Sequence, residues 1–142
     1  FRLAVDDKGK LFALKIPTEE VAMKISKVLS KFTSKGGRVG VRLHDGTCPH
    51  VTSELPISVG DSVVLSLPGR ELKEVIQMKE GASCFVFKGR SAGKIGKFIR
   101  EIPSTIKREA LVELQLEDGS SISTLKDYVI AVGEQTPRVT LR

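Results

Sequence analysis

The densest chemistry in the chain lies in Lys88-Gly89-Arg90-Ser91-Ala92-Gly93-Lys94-Ile95-Gly96-Lys97, a basic, glycine-punctuated stretch between the apolar runs Cys84-Phe85-Val86-Phe87 and Phe98-Ile99. Lys88, Arg90, Lys94 and Lys97 attract phosphate oxygens. Gly89, Gly93 and Gly96, lacking a Cβ, let the backbone take positive φ or come close to another surface. The stretch therefore reads as an anion-contacting loop. Counting charge by position sharpens this: Lys88, Arg90, Lys94, Lys97, Arg100, Lys107 and Arg108 stand against Glu101 alone, so residues 88–108 hold the whole net charge of +6 and the rest of the chain balances. A patch of one sign favours a polyanionic partner such as nucleic acid.

Other chemistries fit less well. A P-loop would also place glycines and a lysine around phosphates, but the spacing from Gly89 to Gly93-Lys94 is one residue short. Ile95 stands where a magnesium-binding hydroxyl is needed, and the following residues read as a strand in place of the required helix. His44, Cys48 and His50 lie close together, yet a zinc site needs four ligands at paired spacing and only Cys84 remains to add a soft one. They read as turn and loop residues, with no metal or other cofactor. No nucleophile, base and orienting acid are selected by any motif, so the chain is not read as an enzyme. Tyr128 and six phenylalanines are the only aromatics, and most of the phenylalanines sit in apolar runs. Contacts to a phosphate–sugar backbone are thus favoured over base stacking.

The elements that must hold this loop are mostly strands. Phe1–Val5 and Leu11–Ile16 flank the turn Asp6-Asp7-Lys8-Gly9 as a β-hairpin. Pro17 and Thr18 supply a helix start, and Val21, Ala22, Ile25, Val28, Leu29 and Phe32 recur at helical spacing, which predicts one helix over about 18–31. Lys24, Lys27 and Lys31 would line its solvated face. Arg38–Leu43 alternates as a strand before the turn at Asp45-Gly46; Pro49 and Pro56 make 47–58 an irregular edge, and Ser62–Leu67 is a further strand. Pro68-Gly69-Arg70 marks a domain boundary. Beyond it come six short strands, over 72–78, 82–87, 95–102, 110–116, 121–124 and 128–132, as in a small barrel. Pro103 makes 103–108 an exposed loop carrying Lys107 and Arg108, and 137–142 a trailing arm. The expected fold is mainly β with one helix (α+β), divided into residues 1–70, 71–136 and 137–142. No run approaches the roughly 18–20 apolar residues of a membrane span. Two cysteines make no disulfide framework, and a cytosolic protein with reduced thiols is expected.

At larger scale the run Glu80-Gly81-Ala82-Ser83-Cys84-Phe85-Val86-Phe87-Lys88-Gly89-Arg90-Ser91-Ala92-Gly93-Lys94-Ile95-Gly96-Lys97-Phe98-Ile99 resembles a KOW motif, the strand–loop–strand element of ribosomal proteins and NusG-type transcription factors. Val39–Gly46, Val59-Gly60-Asp61-Ser62 and Thr124–Gly133 extend the resemblance over nearly the whole chain, to small-subunit ribosomal protein four of the archaeal and eukaryotic type, the S-four-e family. The resemblance implies a central β-rich domain followed by a KOW domain with a Src-homology-3-like barrel, both lying on ribosomal RNA of the small subunit. It also implies an N-terminal RNA-binding module in other members, ahead of the point where this chain starts, and the short C-terminus resembles the archaeal form. Partners implied are that RNA and neighbouring ribosomal proteins in the cytoplasmic ribosome, with no small-molecule substrate and a monomer outside the ribosome. Lys88, Arg90, Lys94 and Lys97 would contact phosphates, Gly89, Gly93 and Gly96 would shape the loop, and Arg100, Lys107 and Arg108 would widen the patch. Where Lys88, Gly89 and Ser91 stand, members commonly carry two glycines and an asparagine, so cationic and backbone contacts are what carry over. A protein-interaction module of a transcription or translation factor is the alternative that a KOW barrel allows.

Overall fold

The computed structural model describes residues 1–51 and 56–141, which form strands with a single short helix and group into two compact units, residues 17–77 and residues 1–16 with 78–142. The unit 17–77 begins with that helix, α1 at Thr18–Val21, entered through the extended Pro17. The expected helix over about 18–31 stops there. Met23–Thr33 is instead an eleven-residue strand, β3, whose first half pairs with β6 (Ser62–Ser66) and whose second half pairs with β4 (Val39–Leu43).

The cause is a bulge. Between Val28 and Ser30 the register shifts, leaving the exposed Leu29 outside the alternation. One extra residue in a period of two sets apolar side chains three and four apart, which imitates a helical stripe. Phe32, read as part of that stripe, faces Gly40 across the strand pair, and a Cβ on Gly40 would lie 2.4 Å from its ring. The lysines also change meaning. Lys27 is buried, Lys24 pairs with Asp45 at 2.8 Å, and Lys31 Nζ donates to the Ile57 carbonyl at 2.5 Å, so this row is no solvated helix face.

The sheet is completed at its edges by β5 (His50–Val51) and β7 (Glu71–Ile76), in the order β5-β4-β3-β6-β7. Its core is Val28, Val41, Leu43, Ile57, Val63 and Leu65, with Leu72 and Val75 of β7 packed against it. The strand expected to open the barrel at 72–78 thus belongs to this unit, because its apolar residues cover the β6 side of this core. Of the irregular stretch expected over 47–58, residues 52–55 lie outside the described ones.

The other unit contains the hairpin β1 (Arg2–Val5) and β2 (Leu11–Leu14), and a five-stranded antiparallel sheet ordered β11-β10-β9-β8-β12. Its strands are β8 (Ser83–Val86), β9 (Ile95–Ile102), β10 (Leu111–Leu116), β11 (Ser121–Leu125) and β12 (Val129–Gly133). A turn of 3-10 helix at Lys126–Tyr128 leads into β12. Cys84, Val86, Phe98, Val112, Leu114, Val129 and Ala131 are buried along these strands, at the alternate positions that a one-sided core requires. The arm after β12 folds back: Arg138 N–H donates to the Val132 carbonyl at 2.8 Å and Arg2 reaches the Thr140 carbonyl at 3.3 Å. Cys48 is exposed and Cys84 buried, and no disulfide joins them.

One polar knot in the unit 17–77 makes its stability sensitive to acid. His44 Nδ1 accepts the Lys27 N–H at 2.9 Å, while the His44 N–H donates to the Lys27 carbonyl at 3.0 Å. Burial, helped by the charges of Lys24 and Lys27 and opposed by Asp45, lowers the His44 pKa below its ordinary 6.5. For Asp45 burial acts upward, but the Lys24 ammonium and the hydroxyl and amide of Thr47 outweigh it and hold the carboxyl well below its ordinary 3.8. Both groups therefore bind fewer protons folded than unfolded, and stability falls as pH drops, first below 6.5 and again below 3.8. The urea midpoint should be lower at pH 5.5 than at pH 7.5, and His44→Ala should remove most of that difference. An unchanged midpoint in the parent chain between these two pH values would contradict the assignment.

Candidate nucleic-acid interface

The basic loop occupies residues 87–94, between the paired strands β8 and β9. It is a folded turn. Gly93 N–H donates to the Val86 carbonyl at 2.7 Å, Val86 N–H to Lys94 at 3.0 Å, Ala92 N–H to Gly89 at 3.2 Å and Lys94 N–H to Ser91 at 3.2 Å. Phe87 N–H donates to the Tyr128 carbonyl at 3.0 Å, which ties the loop to the 3-10 turn ahead of β12.

Two glycines let it seat. Gly89, at φ 85°, lies on the Tyr128 ring so closely that a Cβ would come within 2.8 Å of Cδ2. Gly93, at φ 90°, faces the Asp6 carbonyl, which a Cβ would approach to 1.8 Å. The turn of the first hairpin thus rests on the loop. That turn is itself tightly made, with the Asp6 carboxylate accepting the Lys8 and Lys10 amides at 2.9 and 2.7 Å. Gly96 is buried on β9, where a Cβ would meet the Gln115 carbonyl at 2.9 Å.

The cations are not equivalent. Lys88 is exposed with its ammonium 5.5 Å from the Tyr128 ring centroid, a cation–π distance that leaves its other faces to solvent. Arg90 and Lys97 are exposed, as are Lys107 and Arg108 in the turn between β9 and β10, and among the described residues none of these five is in an ion pair. Lys94 is half-buried and lines a hollow of about 300 Å³ with Asp7, Glu117 and Asp118, so carboxylates already offset its charge. Arg100 lies across from Glu113 and forms a two-pronged bond to it, Nε at 2.5 Å and Nη2 at 3.0 Å. That bond raises the Arg100 pKa and lowers that of Glu113. Glu101, the one acid in the basic segment, is held by Lys126 Nζ at 3.0 Å from both carboxylate oxygens.

The ten residues singled out from the sequence therefore fall into three groups. Lys88, Arg90, Lys97, Lys107 and Arg108 present open positive charge; Gly89, Gly93 and Gly96 set the backbone; Arg100 is bonded to the Glu113 carboxylate, and Lys94 is half-buried in a hollow it shares with acidic residues. Lys126 and the acidic trio Asp7, Glu117 and Asp118 were not picked out, because their effect depends on turns distant in sequence meeting at one place. Gly89 and Lys88 lie against the Tyr128 ring. The segment after Lys94 is the strand Ile95–Ile102, which removes the P-loop geometry. Among the described residues no group of three His, Cys, Asp or Glu side chains gathers to hold a metal ion.

Comparison with known proteins places this geometry in context. Residues 1–72, half the chain, match the model of ribosomal family S4e. Small ribosomal subunit protein eS4 of Methanothermobacter thermautotrophicus is 34% identical over 143 residues, covering 99% of this chain and 57% of that protein. The same-named protein of Methanocaldococcus jannaschii is 32% identical over 148 residues, covering 99% of this chain and 59% of its own length. Among solved structures, the crystal structure of the 30S ribosomal protein S4e from Thermoplasma acidophilum superimposes with a TM-score of 0.74 at 30% identity, covering 93% of this chain and 65% of that one. The chain thus spans less than two thirds of the length of these relatives.

Proposed function

The chain belongs to ribosomal family S4e, and from that membership we propose that it is a non-catalytic, RNA-binding part of the small ribosomal subunit in the cytoplasm, supporting translation. Its ligand is ribosomal RNA, engaged through the loop between β8 and β9, with neighbouring ribosomal proteins as further partners, no small-molecule substrate, and a monomeric chain outside the ribosome. The observation that carries the RNA reading is the set of exposed cations Lys88, Arg90, Lys97, Lys107 and Arg108, in no ion pair among the described residues, in one segment of a chain otherwise balanced in charge. Lys88, Arg90 and Lys97 contact phosphates, Gly89, Gly93 and Gly96 hold the loop to its seat, and Lys107 and Arg108 extend the contact. Arg100, bonded to Glu113, and Lys94, half-buried near Asp118, support it from within the fold.

The matching experiment separates RNA binding from protein docking. The purified chain should be retained by small-subunit ribosomal RNA at moderate salt and released as salt rises. After nuclease treatment of a ribosomal extract it should no longer co-purify with ribosomal components. Retention of a protein partner after nuclease, with no binding to the RNA itself, would replace this reading with that of a protein-interaction module.

A further inference from the structure

Residues 103–109, between β9 and β10, form a finger in which every residue is exposed. Its end is not loose: Thr105 N–H donates to the Arg108 carbonyl at 2.8 Å and Arg108 N–H to the Thr105 carbonyl at 3.2 Å, closing a tight turn with Ile106 and Lys107 at its apex. Ile106 is fully exposed. A branched aliphatic residue is an unusual choice for a turn apex, where Gly, Asn, Asp and Ser satisfy the backbone better. Its side chain contributes nothing to the core. Scattered exposed aliphatic residues are ordinary on protein surfaces. Ile106 differs in being held at the tip of an ordered projection, followed immediately by two exposed cations, Lys107 and Arg108, with Glu109 beyond the turn.

We infer that the finger is an apolar wedge for RNA: Lys107 and Arg108 hold phosphates on either side while Ile106 packs against an unstacked base or ribose at a bulge or internal loop. This rests on the RNA-binding reading above. The charges commit the occupant, because a protein surface complementary to Ile106 alone would not call for two exposed cations beside it. A continuous A-form helix would not accept the wedge, since its deep groove is closed to side chains and its bases are stacked. Wedges of this kind are known to trade unstacking of a step for apolar contact.

The two parts of the finger should separate thermodynamically. Ion contacts weaken with salt; apolar packing does not. The full chain is titrated against a transcript of the small-subunit ribosomal RNA of Methanothermobacter thermautotrophicus and against a fully paired RNA duplex, each over a series of salt concentrations. Ile106→Ser should weaken binding to the transcript roughly 10- to 100-fold at every salt, with an unchanged slope, and leave duplex binding alone. The double change Lys107→Ala/Arg108→Ala should instead flatten the slope by about 1.4–1.8 units. Unfolding midpoints of both variants should match the parent.

Parent-like affinity of Ile106→Ser for the transcript, or an equal loss on both RNAs, would overturn the wedge while leaving the RNA reading intact. Release of a neighbouring ribosomal protein from reconstituted subunits by Ile106→Ser, without loss of RNA affinity, would overturn it in favour of protein docking. Failure of the parent chain to bind the transcript at all would remove the RNA reading and the wedge together.

Discussion

Gly93→Ala should unseat the first hairpin from the basic loop and destabilise the unit of residues 1–16 and 78–142 by roughly 2–6 kcal/mol. Two costs combine. A residue with a Cβ is strained at φ 90°, about 1–3 kcal/mol. The new methyl carbon would also lie 1.8 Å from the Asp6 carbonyl oxygen, a collision with backbone that no rotamer change relieves, and overpacking of this kind adds about 1–3 kcal/mol more. For a unit of this size a loss of that order lowers the thermal midpoint by roughly 10 °C or more. Gly119→Ala is the control, since Gly119 shares the positive φ (85°) but has nothing within 4 Å of a new Cβ. It should cost only the conformational part. Hydrogen exchange across residues 2–14 should accelerate in Gly93→Ala and stay unchanged in Gly119→Ala. Equal midpoints for the two variants would refute the seating of the hairpin turn on Gly93.

The second large effect concerns RNA affinity. Replacing Lys88, Arg90, Lys107 and Arg108 together by alanine should remove four phosphate contacts, each worth about 0.7–0.9 in the slope of log K against log salt, and so flatten that slope by about 2.8–3.6 units. Between 50 and 200 mM salt, those contacts make the parent chain lose roughly 50- to 150-fold in affinity that the variant does not lose. By contrast, Lys94→Ala/Arg100→Ala should change the slope little. Glu113 already holds Arg100, and Lys94 shares its hollow with Asp7, Glu117 and Asp118, the last close enough to feel its charge. A quadruple variant with the parent's slope, or a Lys94/Arg100 double variant that flattens it by about 1.4–1.8 units, would reverse the division drawn between these two groups of cations.

Local signals carried the sequence reading far where the cause is local. The turns at Asp6–Gly9, Asp45-Gly46 and Asp118-Gly119 fall where their residue types placed them, and Leu114 pairs with Ile122 as the last of these turns requires. The basic loop was legible because charge can be counted. What could not be read depends on partners remote in sequence. β3 mimicked a helix because a single bulge at Leu29 broke its alternation, and only its pairing with both β4 and β6 decides the matter. Glu71–Ile76 reads like any other short strand, and its allegiance to β6 is a property of the sheet it completes. Arg100 was counted as open charge because cross-strand register, and not spacing along the chain, brings Glu113 opposite it.

Because residues 1–16 complete a unit whose remaining strands begin only after residue 78, the segment 17–77 interrupts one fold with another. During synthesis this sets an order of assembly. The interrupting unit has all of its strands once β7 has emerged and is free to close on its own core. The hairpin β1–β2, made before it, must wait with Val5, Phe12 and Leu14, which are part-buried in the finished unit, still uncovered until the strands beyond residue 78 arrive from the other side of the interruption. Nascent chains truncated between β7 and β8 should therefore protect residues 17–77 from protease while the hairpin remains open to cleavage.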